Sequence, residues 1–273
     1  MTRRRVFFIS DRTGITAETL GESLLTQFPS TDFERVHIPF VDNPTAAMRA
    51  VAEIERAAHE DDAPPLVFST LTDDSIQTAI TASCPNVFDL FGTFIGPLEV
   101  VLGIKSSHSM GRMHGIVDTS VYDRRLHALN YTLNHDDGLK QNSLDEADVV
   151  LLGVSRSGKT PTCLYLALHY YLKAANYPLA EEDFDRSRLP AALAKCRDKL
   201  YGLTIVPEHL SRIRHERRAS SQYASLAQCR HEVSGAEALF RTENIPYLDS
   251  TTISIEEIAA TIVRDMKLHR GPH

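Results

Sequence analysis

Eight consecutive residues in the second half of the chain match the phosphate-binding pattern G-x-x-x-x-G-K-[ST] at every fixed position. They are Gly153, Val154, Ser155, Arg156, Ser157, Gly158, Lys159 and Thr160. The glycines let the backbone curl so that consecutive N–H groups point at phosphates, and the following helix adds its partial positive N-terminus. The segment therefore predicts a nucleotide-phosphate site, in which Lys159 reaches the terminal phosphates as a catalytic residue and Thr160 binds Mg²⁺.

The sequence on either side of this loop fits the structural context of the pattern. An apolar, β-branched run at 148–152 predicts a strand before the loop, and a leucine-containing helical pattern follows it. Pro161 suits the first turn of that helix, where a backbone N–H has no partner to lose. A phosphate loop requires a strand before it and a helix after it, so the context disfavours an accidental glycine-rich turn.

The loop indicates phosphate binding but not which reaction. A GTPase would carry N-K-x-D or T-K-x-D to read guanine, and no lysine of this chain stands in that pattern. A eukaryotic-type protein kinase would carry H-R-D and D-F-G. The nearest string, at 89–92, has one residue too many. We therefore expect a phosphate-loop protein outside these two classes.

Phosphoryl transfer to a hydroxyl usually needs a carboxylate base beside the loop. The best candidates are Asp136 and Asp137, because adjacent carboxylates repel each other and this raises a proton affinity toward working pH. The same residues could instead form an Asp-Gly turn that ends the preceding helix, and the sequence leaves both interpretations open. Asp249, which closes a short apolar run, is an alternative acidic residue for the nucleotide site.

Other polar clusters also allow two interpretations. A basic stripe comprises Arg212, Arg214, Arg217 and Arg218. It could contact phosphate or an acidic partner, but the interleaved glutamates favour a solvated helix face. The segment 10–14 follows the first predicted strand, where α/β sheets place ligands, and could equally begin a helix. The histidines show no pair spaced for zinc, so we expect no metal other than Mg²⁺.

Strands alternating with helices must position these residues. In the first half the signals run in the order strand 6–9, helix 16–28, strand 36–41, helix 44–59, strand 66–68 and a helix from about residue 73. This alternation predicts βαβ units and a parallel sheet. The Gly- and Ser-containing stretch 103–118 predicts a domain boundary. We predict an N-terminal parallel-sheet α/β domain, residues 1–105, followed by a P-loop kinase-like α/β domain, residues 106–273.

Apolar periodicity places further elements in the second half of the chain. An amphipathic helix is predicted by an apolar stripe at Tyr122, Leu126, Leu129 and Leu133. Helices are also predicted at 207–218, 223–240 and 255–268, the last with a capping box, and a short strand at 245–249. The predicted base candidates therefore follow a helix, and the phosphate loop follows a strand.

Composition excludes several classes of protein. The chain has 273 residues, of which 42% are hydrophobic and 24% charged, as in ordinary globular proteins. The net charge of 29 − 36 = −7 argues against a general nucleic-acid binder. Four scattered cysteines form no C-x-x-C pair and are expected to be reduced and partly buried. The sequence shows neither a signal peptide nor an apolar run of about 20 residues, so we expect a soluble, cytoplasmic protein without a membrane partner.

Short strings spread along nearly the whole chain are recognisable when taken together. They lie at 8–11, 14–18, 123–125, 131–133, 135–138, 153–162, 174–178, 202–205, 214–218 and 223–226. In these strings the chain resembles the bacterial phosphoenolpyruvate synthase regulatory proteins, relatives of the pyruvate, phosphate dikinase regulatory proteins. The strings in the C-terminal half favour the synthase branch.

The resemblance implies a bifunctional enzyme with phosphoenolpyruvate synthase as its protein substrate. Such an enzyme phosphorylates a threonine beside the target's catalytic histidine, with ADP as donor and AMP as product. It removes that phosphate by attack of inorganic phosphate, which releases pyrophosphate. The ADP donor rests on the resemblance alone. By this hypothesis Asp137 or Asp136 takes the threonine proton, and Lys159 with the loop amides holds the nucleotide's terminal phosphates.

Three alternatives stay open from the sequence. The same chemistry could act on pyruvate, phosphate dikinase, or the chain could be a small-molecule kinase that uses ATP. A nucleotide-sensing module would need the loop but no base, so the aspartate pair favours an enzyme. The sequence leaves the oligomeric state undecided, and a homo-oligomer is compatible with it.

Overall fold

The computed structural model describes residues 3–61, 63–106, 119–136, 141–185, 189–190, 192–217 and 222–268. The chain divides into two compact units, Met1–Gly115 and Ile116–His273. Each unit contains a four-stranded parallel sheet with helices, which confirms the predicted α/β class. Residues 107–118 lie outside the described residues, so the predicted boundary between residues 105 and 106 stays a prediction.

The first unit alternates strands and helices from its beginning. Its elements are β1 (Arg3–Ser10), α1 (Ile15–Leu25), β2 (Asp32–Ile38), α2 (Pro44–Glu60), β3 (Leu66–Thr70), α3 (Asp74–Ser83), β4 (Val87–Asp89) and α4 (Leu90–Leu102). The strands lie in the order β2-β1-β3-β4, and all pairs are parallel. Phe7 and Ile9 enter one core cluster and Val6 and Phe8 another, so β1 is buried on both faces.

In this unit the structure corrects one predicted strand and decides between two interpretations of another segment. The predicted strand at 36–41 is wrong in its second half, because β2 ends at Ile38 and Pro39 has no N–H for a sheet ladder. The segment 10–14 forms the turn into α1, with Gly14 at the helix N-cap in the left-handed region, φ 81°. Asp11 is buried in that turn and accepts a 2.6 Å hydrogen bond from the Thr72 hydroxyl.

The second unit contains four parallel strands and six α-helices among its described residues. Its elements are α5 (Thr119–Asn134), β5 (Val149–Gly153), α6 (Lys159–Tyr165), β6 (Ala174–Pro178), α7 (Glu181–Asp185), β7 (Leu200–Thr204), α8 (Pro207–Arg217), α9 (Leu226–Thr242), β8 (Tyr247–Asp249) and α10 (Ile255–Asp265). The order β6-β5-β7-β8 repeats the relative strand order of the first sheet. The predicted capping box of α10 is present between Ser254 and Glu257.

Strand β5 lies in the middle of the second sheet and is buried along its whole length. Val149 and Leu151 belong to the core cluster that includes residues of α6 and α10, whereas Val150 and Leu152 belong to the cluster that includes residues of α8 and α9. Because β6 and β7 flank β5, the carboxyl end of β5 is a topological switch point, the place where open α/β sheets bind ligands. The predicted phosphate loop begins there.

Helix α5 is present as predicted, but the buried face is not the predicted apolar stripe. Tyr122, Leu126 and Leu133 are exposed. The buried side instead includes Thr132 and His135, which lie against β6. The Thr132 hydroxyl accepts a hydrogen bond from the backbone N–H of Ala174, and the carbonyl of His135 accepts one from Asn176. The side of α5 that packs on β6 therefore carries polar groups, because they form hydrogen bonds with the backbone of this edge strand.

Two simpler expectations concern cysteines and membrane spans. All four cysteines, Cys84, Cys163, Cys196 and Cys229, are free, as predicted, and they are buried more completely than the sequence suggested. None of the described helices is both long enough and apolar enough to cross a bilayer.

Candidate active site

The predicted phosphate loop connects the end of β5 to the start of α6. β5 ends at Gly153 and α6 begins at Lys159, so five residues form the turn. Gly158 stands at the helix N-cap in the left-handed region, φ 89°. Arg156 also has a positive φ, 78°, which is uncommon for a residue with a side chain. The loop thus reverses direction over two left-handed positions before the helix starts.

Both glycines of the pattern have a positive φ, 155° at Gly153 and 89° at Gly158, but only Gly153 is also tightly packed. A Cβ added to Gly153 would lie 2.3 Å from the backbone oxygen of Leu203 in β7, far inside contact distance. A Cβ on Gly158 would meet no atom within 4 Å, so only its positive φ disfavours a side chain there. Gly153 therefore permits close packing against the neighbouring strand, and Gly158 permits the turn.

Lys159 is buried at the first position of α6. Its Nζ donates a 2.8 Å hydrogen bond to the carbonyl of Val154, so the ammonium lies across the loop. A cavity of about 260 Å³ opens beside it. The cavity is lined by Ser155, Arg156, Gly158, Lys159, Thr160, Pro161 and Asn176. Most of the predicted loop residues therefore face one small space.

Asp136 is hydrogen-bonded to two residues that line this cavity, Thr160 and Asn176. The Thr160 hydroxyl donates a 2.9 Å hydrogen bond to Asp136 Oδ1. Asn176 Nδ2 donates to the same carboxylate oxygen at 2.6 Å and to the Thr160 hydroxyl at 2.9 Å. These contacts bring together the Asp136 carboxylate from the end of α5, the Thr160 hydroxyl from α6 and the Asn176 amide from β6.

His135 holds in place the backbone next to Asp136. The imidazole is buried and stacks on Tyr131 with ring centroids 3.9 Å apart. Its Nδ1 lies 2.8 Å from the Tyr131 carbonyl, which can only accept, so Nδ1 carries a proton. Its Nε2 lies 2.6 Å from the Ser143 hydroxyl. Both ring nitrogens are thus engaged away from the cavity, so His135 acts as a positioning residue.

The other acidic candidates have different outcomes. Asp137, the second predicted base, lies outside the described residues and stays a prediction. Asp249 forms a local turn at the end of β8, where it accepts hydrogen bonds from the backbone and hydroxyl of Thr251. The next residue, Ser250, contacts the loop instead, because its hydroxyl donates a 2.9 Å hydrogen bond to the Ser157 carbonyl.

Arg214 and Tyr223 support the outer wall of the loop. Arg214 is fully buried, and its Nη2 donates to the Ser155 carbonyl at 3.1 Å and to Glu232 at 2.6 Å. The Tyr223 hydroxyl donates a 2.8 Å hydrogen bond to the Ser155 hydroxyl, and its ring lies 4.0 Å from the Arg214 guanidinium carbon. The interpretation of the basic stripe as a solvated face is therefore wrong for Arg214, although Arg212 and Arg217 are exposed. Arg218 lies outside the described residues.

Sequence reasoning assigned no role in this site to Asn176 or Tyr223, and it favoured a solvated face over a phosphate contact for Arg214. Each lies in one of the strings that carried the resemblance, at 174–178, 214–218 and 223–226. Spacing could not connect them to the loop, because they are 16, 59 and 68 positions from their loop contacts. The sequence showed only that polar residues occur in those strings, and it gave no indication of which residues they contact.

The chain is similar to known proteins along nearly its whole length. Residues 6–263 match the family described as kinase/pyrophosphorylase. The chain is 53% identical over 268 residues to a protein of Azoarcus sp. (strain BH72), covering 98% of this chain and 97% of the relative. It is 54% identical over 268 residues to one of Halorhodospira halophila, covering 98% of each chain. It is 49% identical over 270 residues to one of Marinobacter nauticus, covering 98% of this chain and all of the relative.

All three relatives carry the provisional name phosphoenolpyruvate synthase regulatory protein. The family match spans almost the entire chain, and the relatives align from end to end. The chain belongs to the kinase/pyrophosphorylase family.

Proposed function

We propose that the protein is a bifunctional threonine kinase and phosphorylase that regulates phosphoenolpyruvate synthase. In one direction it transfers the β-phosphoryl group of ADP to a threonine of the synthase, which inactivates the target and releases AMP. In the other it transfers that group from phosphothreonine to inorganic phosphate, which reactivates the target and releases pyrophosphate. The observation that carries the proposal is the phosphate loop with Asp136 bonded to Thr160 at its edge.

The family and the names of the relatives support this proposal at different levels of detail. Membership of the kinase/pyrophosphorylase family supports phosphoryl transfer in two modes. The relatives' shared name supports the synthase as the target. The threonine acceptor and the ADP donor come from the resemblance described above. The proposal also places the protein in the cytoplasm, together with the synthase.

The residues at the loop suit a nucleotide's phosphates and Mg²⁺. Mg²⁺ prefers oxygen ligands and is usually bound through one or two carboxylates together with substrate phosphates. Asp136 Oδ1 and the Thr160 hydroxyl, 2.9 Å apart, are such oxygens, and Asn176 orients both of them. Bound there, Mg²⁺ would neutralise charge on the phosphates.

One loop can serve both directions because each reaction moves a phosphoryl group between a threonine oxygen and another phosphate. In the kinase direction the threonine oxygen attacks the β-phosphorus, its proton leaves to a base, and the bond to the AMP oxygen breaks. We propose Asp137 as this base and Asp136 as the magnesium-side carboxylate, because Asp136 is engaged by Thr160 and Asn176. Lys159 and the loop N–H groups would hold the transferred group.

The decisive experiment uses ADP that carries a labelled β-phosphate. Purified protein is incubated with this ADP and phosphoenolpyruvate synthase in its histidine-phosphorylated state. We expect acid-stable label on a threonine of the synthase and a matching amount of AMP, and then labelled pyrophosphate when inorganic phosphate is added. Pyruvate, phosphate dikinase serves as the parallel target.

Other results would replace the proposal. Label in the dikinase alone would change the target but keep the chemistry. Transfer from ATP to a small metabolite without a protein acceptor would identify a small-molecule kinase. Nucleotide binding with no transfer to either protein would identify a sensing module.

A further inference from the structure

A second cavity lies directly beside the phosphate loop. It has a volume of about 330 Å³ and is lined by Arg156, Arg214, Arg217 and Tyr223. Arg156 also lines the loop cavity, so the two spaces share one wall. The second cavity therefore adjoins the place where a transferred phosphoryl group would lie, and three of its four lining side chains carry a guanidinium.

The arginines that line this cavity have positive charge available to bind an anion. Glu232 pairs with Arg214, at 2.6 Å, but the Arg214 Nε is buried and has no hydrogen-bond partner. Arg214 thus contributes a buried positive charge to the cavity wall, with one N–H that no described group of the chain satisfies. No carboxylate in the described part of the chain forms an ion pair with Arg156 or Arg217. The pair between Arg214 and Glu232 thus leaves two cationic side chains for a ligand.

We propose that this cavity is the binding site for inorganic phosphate in the pyrophosphorylase direction. The inference rests on the proposed function, since that reaction needs two phosphate groups held side by side. Arginine suits a phosphate because its planar N–H groups bind two oxygens at once. The cavity volume is at the lower end of the range for small-molecule sites, about 300–1,000 Å³, which fits a small anion better than a peptide segment.

The charge balance of the reaction explains why a second cationic site is needed. An oxygen of inorganic phosphate attacks the phosphorus of the phosphorylated residue, and the bond between that phosphorus and the residue's oxygen breaks. The released oxygen takes the proton of the hydrogen phosphate, so a dianionic ester and a dianionic phosphate become a neutral hydroxyl and pyrophosphate. Two dianions with four negative charges must approach within bonding distance, whereas Lys159 and the proposed Mg²⁺ together supply three positive charges.

The test uses Arg217→Ala, with Arg212→Ala as the matched control. Both arginines are exposed residues of α8, but Arg212 does not line the cavity and contacts His209 instead. We expect Arg217→Ala to raise the KM for inorganic phosphate in pyrophosphate formation by about tenfold or more, with the KM values for ADP and for the phosphorylated synthase changed less than about twofold. Arg212→Ala should leave all three near wild type. Arg217→Lys should restore part of the phosphate affinity.

A binding measurement separates this inference from the proposed function. Inorganic phosphate is titrated by calorimetry into protein saturated with ADP, so that the loop is already filled. We expect phosphate binding to wild type and Arg212→Ala, and binding about tenfold weaker to Arg217→Ala. This readout needs no turnover, so it stands even if wild-type protein forms no pyrophosphate, an outcome that would sink the proposed function alone.

Three results would overturn the inference. An equal loss of ADP affinity in Arg217→Ala would make the cavity part of the nucleotide site. A raised KM for the phosphorylated synthase with an unchanged KM for phosphate would assign the cavity to the protein substrate. Failure of the ADP-saturated protein to bind phosphate would show that the cavity is no separate phosphate site.

Discussion

The Asp136 carboxylate accepts a 2.9 Å hydrogen bond from the Thr160 hydroxyl, although the two residues are 24 positions apart in the chain. The contact joins the end of α5 to the first turn of α6 and lies at the cavity of the phosphate loop. A carboxylate in this position faces the hydroxyl that the loop pattern offers to Mg²⁺. The two adjacent aspartates that the sequence offered as bases are therefore expected to differ in function.

Asp136→Asn should raise the Mg²⁺ concentration needed for activity more than it lowers kcat at saturating Mg²⁺. Replacement of one carboxylate oxygen by an amide removes charge from the metal side of the site, so the Mg²⁺ concentration for half-maximal activity should rise by about 10–100-fold. Initial rates measured across a series of Mg²⁺ concentrations check this. An unchanged requirement for Mg²⁺ together with a lower kcat would make Asp136 the base instead.

Asp137→Asn should lower kcat by about 10²–10⁴-fold and leave ADP affinity unchanged, because an amide cannot take the threonine proton. Calorimetric ADP titration beside single-turnover kinetics separates the two quantities. Normal turnover in this variant would remove Asp137 as the base.

Lys159→Ala should lower both the kinase and the pyrophosphorylase activity by about 10²–10³-fold. The ammonium lies across the loop against the Val154 carbonyl, and loss of one such charge typically lowers a rate by about 10²–10³-fold. Both activities are assayed on the same preparation, with the exposed Lys195→Ala as the control. Survival of pyrophosphate formation alone would show that the two reactions use separate sites.

Gly153 and Gly158 both have a positive φ, so their alanine variants should differ by the packing that only Gly153 has. Gly153→Ala forces a Cβ against the Leu203 carbonyl and should lower the free energy of unfolding by about 1–3 kcal/mol. Gly158→Ala meets no neighbour, and its positive φ should cost about 1–2 kcal/mol, with a loss of ADP affinity. Urea denaturation and ADP titration measure the two effects. Gly96→Ala, in α4 and without neighbours within 4 Å, is the control and should not destabilise. Equal stability of Gly153→Ala and wild type would contradict the packing argument.

Arg214→Ala should destabilise the second unit more than an exposed arginine variant does. The substitution leaves Glu232 without its partner in a mostly buried position, and such a loss typically costs about 3–5 kcal/mol. The matched control is Arg230→Ala, whose pair with Glu208 is exposed and should contribute less than about 1 kcal/mol. Denaturant unfolding followed by far-ultraviolet circular dichroism compares the two. Equal effects of the two variants would show that burial adds nothing to the inner pair.

The cysteines should resist thiol reagents in the folded protein. Burial raises the pKa of the Cys163, Cys196 and Cys229 thiols, and the nearby Asp136 carboxylate raises the pKa of Cys163 further. A raised pKa keeps each thiol protonated at pH 8, whereas the reactive form is the thiolate. A colorimetric disulfide reagent should therefore label none of these three rapidly before denaturation, and all four cysteines after it. Rapid native labelling of Cys163 would show that the region behind the loop opens.

The sequence by itself determined the elements whose signals are local. The phosphate loop follows from eight contiguous residues, and the capping box of α10 from Ser254 and Glu257. The strand β1 follows from the apolar run at 6–9, and helix α2 follows from the helical stretch at 44–59. Such features are visible in the sequence because the interactions that form them join residues only a few positions apart.

Only the tertiary structure decided which distant residues complete the site. Asn176 comes from a strand that the periodicity missed, since Ala and Asn carry little strand signal, and parallel pairing with β5 brings it to Thr160. Arg214 was expected on a solvated face, yet the packing of α8 against α9 buries it against Glu232 and the Ser155 carbonyl. The apolar stripe of α5 likewise is exposed, because the face with Thr132 is needed to satisfy β6. Burial and hydrogen bonding between residues tens of positions apart depend on how the sheet is ordered, and no local pattern in the sequence encodes that order.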